Sequence, residues 1–135
     1  MKLPLVCLAG AAALLAGCNN ANEVAEDRME RAADLSAAQA GPAEAALGLT
    51  EAQLLDAELI GPNQVELGDV ASVVRGADGK VERLLVEIED SNPDRFVHVP
   101  IEGLTPIRRG DDTDLSTTMT MQELQALPAV DLTKM

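Results

Sequence analysis

Val65-Glu66-Leu67-Gly68-Asp69-Val70-Ala71-Ser72-Val73-Val74, then Gly76-Ala77-Asp78-Gly79, then Val81-Glu82-Arg83-Leu84-Leu85-Val86-Glu87-Ile88, is the stretch on which the fold turns. Asp78-Gly79 supplies the positive φ that a tight hairpin demands. The two flanking runs are β-branched and aliphatic, so they read as paired strands. In the second run Leu84, Val86 and Ile88 alternate with Arg83, Leu85 and Glu87, which predicts one largely apolar face. In the first run Leu67 and Val70 lie three apart. Simple alternation fails there, and Gly68 is the residue expected to mark a bulge or bend.

Outward from this hairpin the chain stays β-like. Ala57-Glu58-Leu59-Ile60 precedes it as a short strand closed by Gly61-Pro62-Asn63. After the polar turn Asp90 to Asp94 comes Phe96-Val97-His98-Val99-Pro100-Ile101, with Val97, Val99 and Ile101 in phase. Pro100 cannot donate to a ladder and predicts a strand end or a sheet edge. Leu104 to Ile107 is a short fifth element, Arg108 to Asp114 a polar stretch, and Leu115 to Met119 a last strand. Thr50-Glu51-Ala52-Gln53 and Thr120-Met121-Gln122-Glu123 carry the capping-box pattern and open short helices, the second stopped by Pro128. The expected fold is mainly β, a small antiparallel barrel or sandwich with short flanking helices.

The segment 54–132 resembles the PRC-barrel domain, a β-barrel family found in the H subunit of photosynthetic reaction centres and in a ribosome-maturation factor. The resemblance rests on Leu59-Ile60-Gly61, Glu66-Leu67-Gly68-Asp69-Val70, Ala77-Asp78-Gly79-Lys80-Val81, Leu84-Leu85-Val86-Glu87, Val97-His98-Val99-Pro100 and Leu124-Gln125-Ala126-Leu127-Pro128. The acidic loop Glu89 to Asp94 departs from it, as does the lack of aromatic residues after Pro128. The family shares no catalytic motif. The resemblance therefore implies a non-catalytic adaptor or assembly module, and no functional residue carries over from it.

The first half of the chain is different. Lys2 precedes an apolar run, Leu3 to Leu15, too short for the roughly 20 residues that span a bilayer as a helix. It has the length of a secretory h-region. Leu15-Ala16-Gly17-Cys18 looks like the bacterial lipobox, in which the cysteine thiol takes a diacylglycerol before the bond ahead of it is cut. A freed amine would then take an N-acyl chain, and two or more chains anchor stably. Cys7 falls inside this leader. Removal of 17 residues from 135 leaves 118, with Cys18 as the only thiol. Asn19 after the cysteine favours the outer membrane over the inner one by enterobacterial sorting rules. The expected organisation is a signal peptide over 1–17, an Ala/Glu-rich tether over 18–49, and the PRC-barrel-like domain over 50–132. Within the tether Glu23 to Ala40 favours helix, with a thin apolar face of Val24, Met29, Ala32 and Leu35. Its composition predicts a partly helical or disordered mobile spacer ended by Gly41-Pro42.

Composition narrows the function. The formal net charge is −13, and losing Lys2 with the leader makes it −14. That balance argues against nucleic acid as a partner and against a polybasic membrane patch. With no Trp, no Tyr and one Phe, there is no stacking platform for bases or sugars. His98 is the only histidine and is expected to face outward in a structural role, so no cofactor beyond the covalent lipid is expected. Asp111, Asp112 and Asp114 are the densest carboxylate run and the weak candidates for a cation, but the EF-hand spacing is missing. Arg108-Arg109 reads as local charge compensation. Met119, Met121 and Met135 could present a soft, adaptable surface but read as core fillers. The sequence thus predicts a lipid-anchored, periplasm-facing envelope lipoprotein, not an enzyme, that contacts another envelope protein or itself. A periplasmic cation- or small-ligand-binding lipoprotein using the acidic loops is the alternative.

Overall fold

The computed structural model describes residues 20–135. The elements in chain order are helix α1 (Asn20–Ala40), a small hairpin of β1 (Glu44–Ala46) and β2 (Leu49–Thr50), helix α2 (Glu51–Leu55) and strand β3 (Glu58–Ile60). Then follow β4 (Glu66–Arg75), β5 (Val81–Ile88), β6 (Phe96–Pro100), β7 (Thr105–Arg109), β8 (Asp112–Ser116) and helix α3 (Met121–Gln125), with a final 3-10 turn at Leu132–Lys134. The protein is mainly β. Its six-stranded sheet has the order β6-β5-β4-β3-β8-β7. Every neighbouring pair is antiparallel except β3 and β8, which run parallel.

The central hairpin forms as its residues dictate. Gly79 sits at φ +80°, its N–H donates to the Gly76 carbonyl at 3.0 Å, and the Gly76 N–H donates to Lys80 at 2.9 Å. This is a turn closed by a left-handed glycine, which any residue with a Cβ would strain. The broken alternation in β4 is a bulge. Leu59 pairs with Gly68 and Ile60 with Glu66, so Leu67 is the extra residue. The bulge puts Leu67 and Val70 in the same core. Gly68 beside it is required by proximity: a Cβ there would stand 2.2 Å from the Glu87 carbonyl oxygen.

The inner face of the sheet holds the main core. Leu59, Leu67, Val70, Leu84, Val86, Ile88, Val97, Val99 and Leu115 pack with Leu54 of α2 and Leu124 of α3. Met119 and Met121 pack against this core, filling its margin, whereas Met135 is not a core filler and is exposed beyond the final turn. Both short helices are set by their caps. Thr50 accepts from the Gln53 N–H at 3.2 Å, while its own N–H donates to Gln53 Oε1 at 2.9 Å. Thr120 and Glu123 repeat the arrangement. The hydrogen bonds from Thr120 hold the Glu123 carboxyl below its ordinary range.

Three expectations are revised. No closed barrel is found: β6 and β7 are the two edges of the sheet and do not pair. The β6 edge is taken by the C-terminal tail, where Val97 bridges Ala129 and the Val130 N–H donates to Phe96 at 2.8 Å. Arg95 fastens that tail by donating to the carbonyls of Gln125 and Leu127. Second, the polar stretch Arg108 to Asp114 is a hairpin of β7 and β8, turned at Gly110, whose φ is +66°. Polar residues hid the strands because Arg109 and Asp114 there meet charged and polar partners on β3 and β4. Third, the described part of the 18–49 segment lies on the fold. Leu49 joins the main core, and α1 lies against the outer face of the sheet. There Met29 meets Leu85 and Phe96 in a second, smaller cluster that also touches Leu132.

That second cluster explains Leu85, which the alternating pattern placed among polar residues. It points away from the main core yet is fully buried, because α1 covers it. The helix buries Ala25, Met29, Ala33 and Ala37, four residues in steps of four. This stripe is offset from the expected one. Val24 and Leu35 are 53% and 63% exposed.

Candidate functional site: the covered outer face of the sheet

Beneath α1 lies a buried charge. Glu51 is the first residue of α2, placed there by the Thr50 cap, and it is 1% exposed. Its Oε2 accepts from Arg75 Nη2 at 2.7 Å, and Arg75 Nη1 donates to the Gly79 carbonyl at 2.9 Å. The end of β4 and its following turn therefore present the guanidinium to α2. Glu51 Oε1 is buried with no hydrogen-bond partner, an arrangement that costs free energy. The same carboxylate lines a cleft of about 280 Å³ between helix and sheet, together with Met29, Ala32, Val73, Leu132 and Met135. Arg28, Ser36 and Ser72 also line it, so the slot mixes apolar walls with polar groups around one unpartnered acceptor.

A larger cleft, about 530 Å³, opens at the N-terminal end of α1. It is lined by Glu23 and Glu26 of the helix, Asn92 and Asp94 of the β5–β6 loop, and Phe96 and Asp131 among others. Burial, and then the negative charges of Asp94, Glu30, Glu23 and Asp27, push the Glu26 carboxyl above its ordinary value of 4.5. Glu87 on β5 is pushed up by burial and then by Asp94, Glu26, Asp69 and Glu30. Carboxylates of helix and sheet thus confront one another.

The sequence-predicted residues take other places. Cys18, the expected lipidation site, and the expected leader lie outside the described residues. Asp111 and Asp112 are exposed at the β7–β8 turn, whereas Asp114 is buried. Asp114 accepts from the Glu58 N–H at 3.0 Å and pairs with Arg109 at 3.4 Å. The three aspartates do not form a cation cage, because Asp114 is taken up by the Glu58 N–H and Arg109 at the β3–β8 junction, while Asp111 and Asp112 stay at the exposed turn. Among the described residues no group of three His, Cys, Asp or Glu side chains could hold a metal ion. Arg109 also meets Glu58 at 3.2 Å and Glu66 at 3.5 Å. One guanidinium is shared by three carboxylates. Burial, then Glu66 and Asp114, raise the Glu58 carboxyl despite that cation. His98 is half-buried on the edge strand β6, 3.4 Å from Arg83 Nη1. Burial and then the Arg83 charge lower its basicity.

Sequence reasoning does not single out Arg75 or Glu26, and it reads Glu51 only as part of a capping box. It reads Glu87, with Glu89 and Asp90, as a strand-end charge blunting an edge, whereas β5 lies between β4 and β6. Glu51 stands in a capping box, where an acidic first turn is ordinary, and its partner is 24 residues away. No described helix is long and apolar enough to cross a membrane. No family model matches the chain, and no curated protein matches it significantly.

Proposed function

We propose that the protein is a bacterial lipoprotein anchored through Cys18, facing the periplasm from the outer membrane, whose β domain is a non-catalytic interaction or assembly module. The observation that carries the reading is the sequence Leu15-Ala16-Gly17-Cys18, which ends two residues before α1 begins. An apolar leader, a small-residue cleavage site and a lone surviving thiol stand directly ahead of a folded body. The PRC-barrel assignment belongs to the same reading. Its support is the order of the short strands, the bulge glycine Gly68 and the turn glycine Gly79, and the α3-Leu127-Pro128 tail. On this reading the partner is an envelope protein or a second copy of the chain. The scattered acidic loops give the cation-binding alternative no assembled site.

Mass spectrometry of the mature N-terminus from fractionated envelopes tests the anchor. The expected product starts at Cys18 and carries diacylglycerol and an N-acyl chain, and Cys18→Ala abolishes that mass. A product retaining Met1 would overturn the reading. Crosslinking in the same preparation tests the module: a reproducible adduct is expected, and a clean monomer counts against it.

A further inference from the structure

We propose that α1 is a detachable cover on the outer sheet face, held down in acid or high salt and released toward neutral pH at low ionic strength. This inference does not depend on the lipid anchor. It rests on how the helix is attached. Its buried stripe is Ala25, Met29, Ala33 and Ala37, so one large side chain supplies most of the apolar contact. Each alanine contributes only a fraction of what a buried leucine would. Among the described residues no side-chain hydrogen bond or ion pair joins α1 to the rest of the fold. Its one ion pair, Asp27 with Arg31, lies along the helix itself and is exposed.

Opposing this weak attachment are charges of one sign. Glu23 and Glu26 of α1 line one cleft with Asp94 of the β5–β6 loop and Asp131, and Asp94, Glu26, Asp69 and Glu30 all bear on Glu87 of β5. Three nearby cations are paired elsewhere: Arg31 with Asp27, Lys134 with Asp131, and Arg75 with Glu51. Arg95 donates to the carbonyls of Gln125 and Leu127, and Arg28 lines the smaller cleft. The seated helix also covers Glu51 Oε1, which regains water when the helix lifts. Gly41, at φ +58°, and Pro42 follow the helix directly and form the point about which it swings.

The sign of the pH effect follows. Glu26 and Glu87 bind protons more tightly in the closed form, so protonation favours closure. The advantage is complete below the ordinary glutamate value of 4.5 and is lost as pH rises through the raised values. Salt at neutral pH acts in the same direction by screening the repulsion. Opening uncovers Leu85, Phe96 and Val74, an apolar strip on an otherwise polar face.

Amide hydrogen exchange on the full chain tests the cover, with rates corrected for intrinsic exchange. Going from about pH 7.5 to about pH 5, or raising NaCl roughly tenfold at fixed pH, is expected to increase α1 protection about threefold to tenfold. Protection of β5 should stay level. The double variant Glu26→Gln/Glu87→Gln should protect α1 at neutral pH and lose most of the response. Should the released helix keep its own amide bonds, thiol labelling of Ala33→Cys at fixed pH reads the opening directly, and salt should slow it. Equal responses of α1 and β5, an unchanged response in the double variant, or salt-independent labelling would overturn the proposal.

Discussion

The two faces of the sheet are sealed by different chemistry. On the inner face Leu54, Leu59, Leu84, Val86, Val97, Leu115 and Leu124 are fully or almost fully buried, and both covering helices are fixed by capping boxes. On the outer face a 21-residue helix rests on three alanines and a methionine, with carboxylates across the gap. Length therefore says little about how firmly a helix is held. The five-residue α2 and α3 each drive a leucine into the core, while the long α1 brings mainly methyl groups. The inner face should behave as one cooperative unit and the outer cover as a local, separable one.

The largest effect should come from the inner face. Leu84→Ala removes a fully buried side chain from the main core and should cost about 2–5 kcal/mol in urea unfolding. A loss below about 1 kcal/mol would show that the inner core is loose as well. Asp114→Ala comes next. It strands the Glu58 N–H and frees Arg109 at the β3–β8 junction, for an expected loss of about 1–3 kcal/mol. Thr120→Ala removes a cap on α3 and should cost about 1 kcal/mol. The smallest global effect is expected of Met29→Ala, although it deletes the largest side chain in the stripe of α1. Because the helix can lift while the sheet persists, the unfolding midpoint should shift by less than about 0.5 kcal/mol while α1 amides lose protection. A full core-sized loss from Met29→Ala would merge the two faces into a single unit.

Much of the inner face was legible in the sequence because its signals are local. The Asp78-Gly79 turn, the Thr50 and Thr120 caps, the phase of Val97 and Val99, and the break between Leu67 and Val70 all act within a few residues. What escaped depends on contacts distant in the chain. Leu85 reads as an outward residue until Met29, more than fifty positions earlier, is laid over it. The β7–β8 hairpin was hidden because Arg109 and Asp114 are polar, and only the facing Glu58 and Glu66 make them strand residues. The barrel expectation assumed that edge strands find each other, whereas residues 129–130 reach the β6 edge. Candidate chemistry was least legible. The carboxylate run Asp111 to Asp114 drew attention by density, yet Asp114 is buried against Glu58 and Arg109 while Asp111 and Asp112 stay exposed. The unpartnered oxygen of Glu51 has no sequence signature.

The outer cleft is walled on one side by Met29 and Ala32 and on the other by Leu132 and Met135. Helix α1 therefore precedes in the chain the residues that complete its resting place. Until Leu132 and Met135 are made, the growing polypeptide carries its central hairpin with Leu85 and Val74 short of their far wall, and any factor that meets the chain at that stage meets that flank half-built.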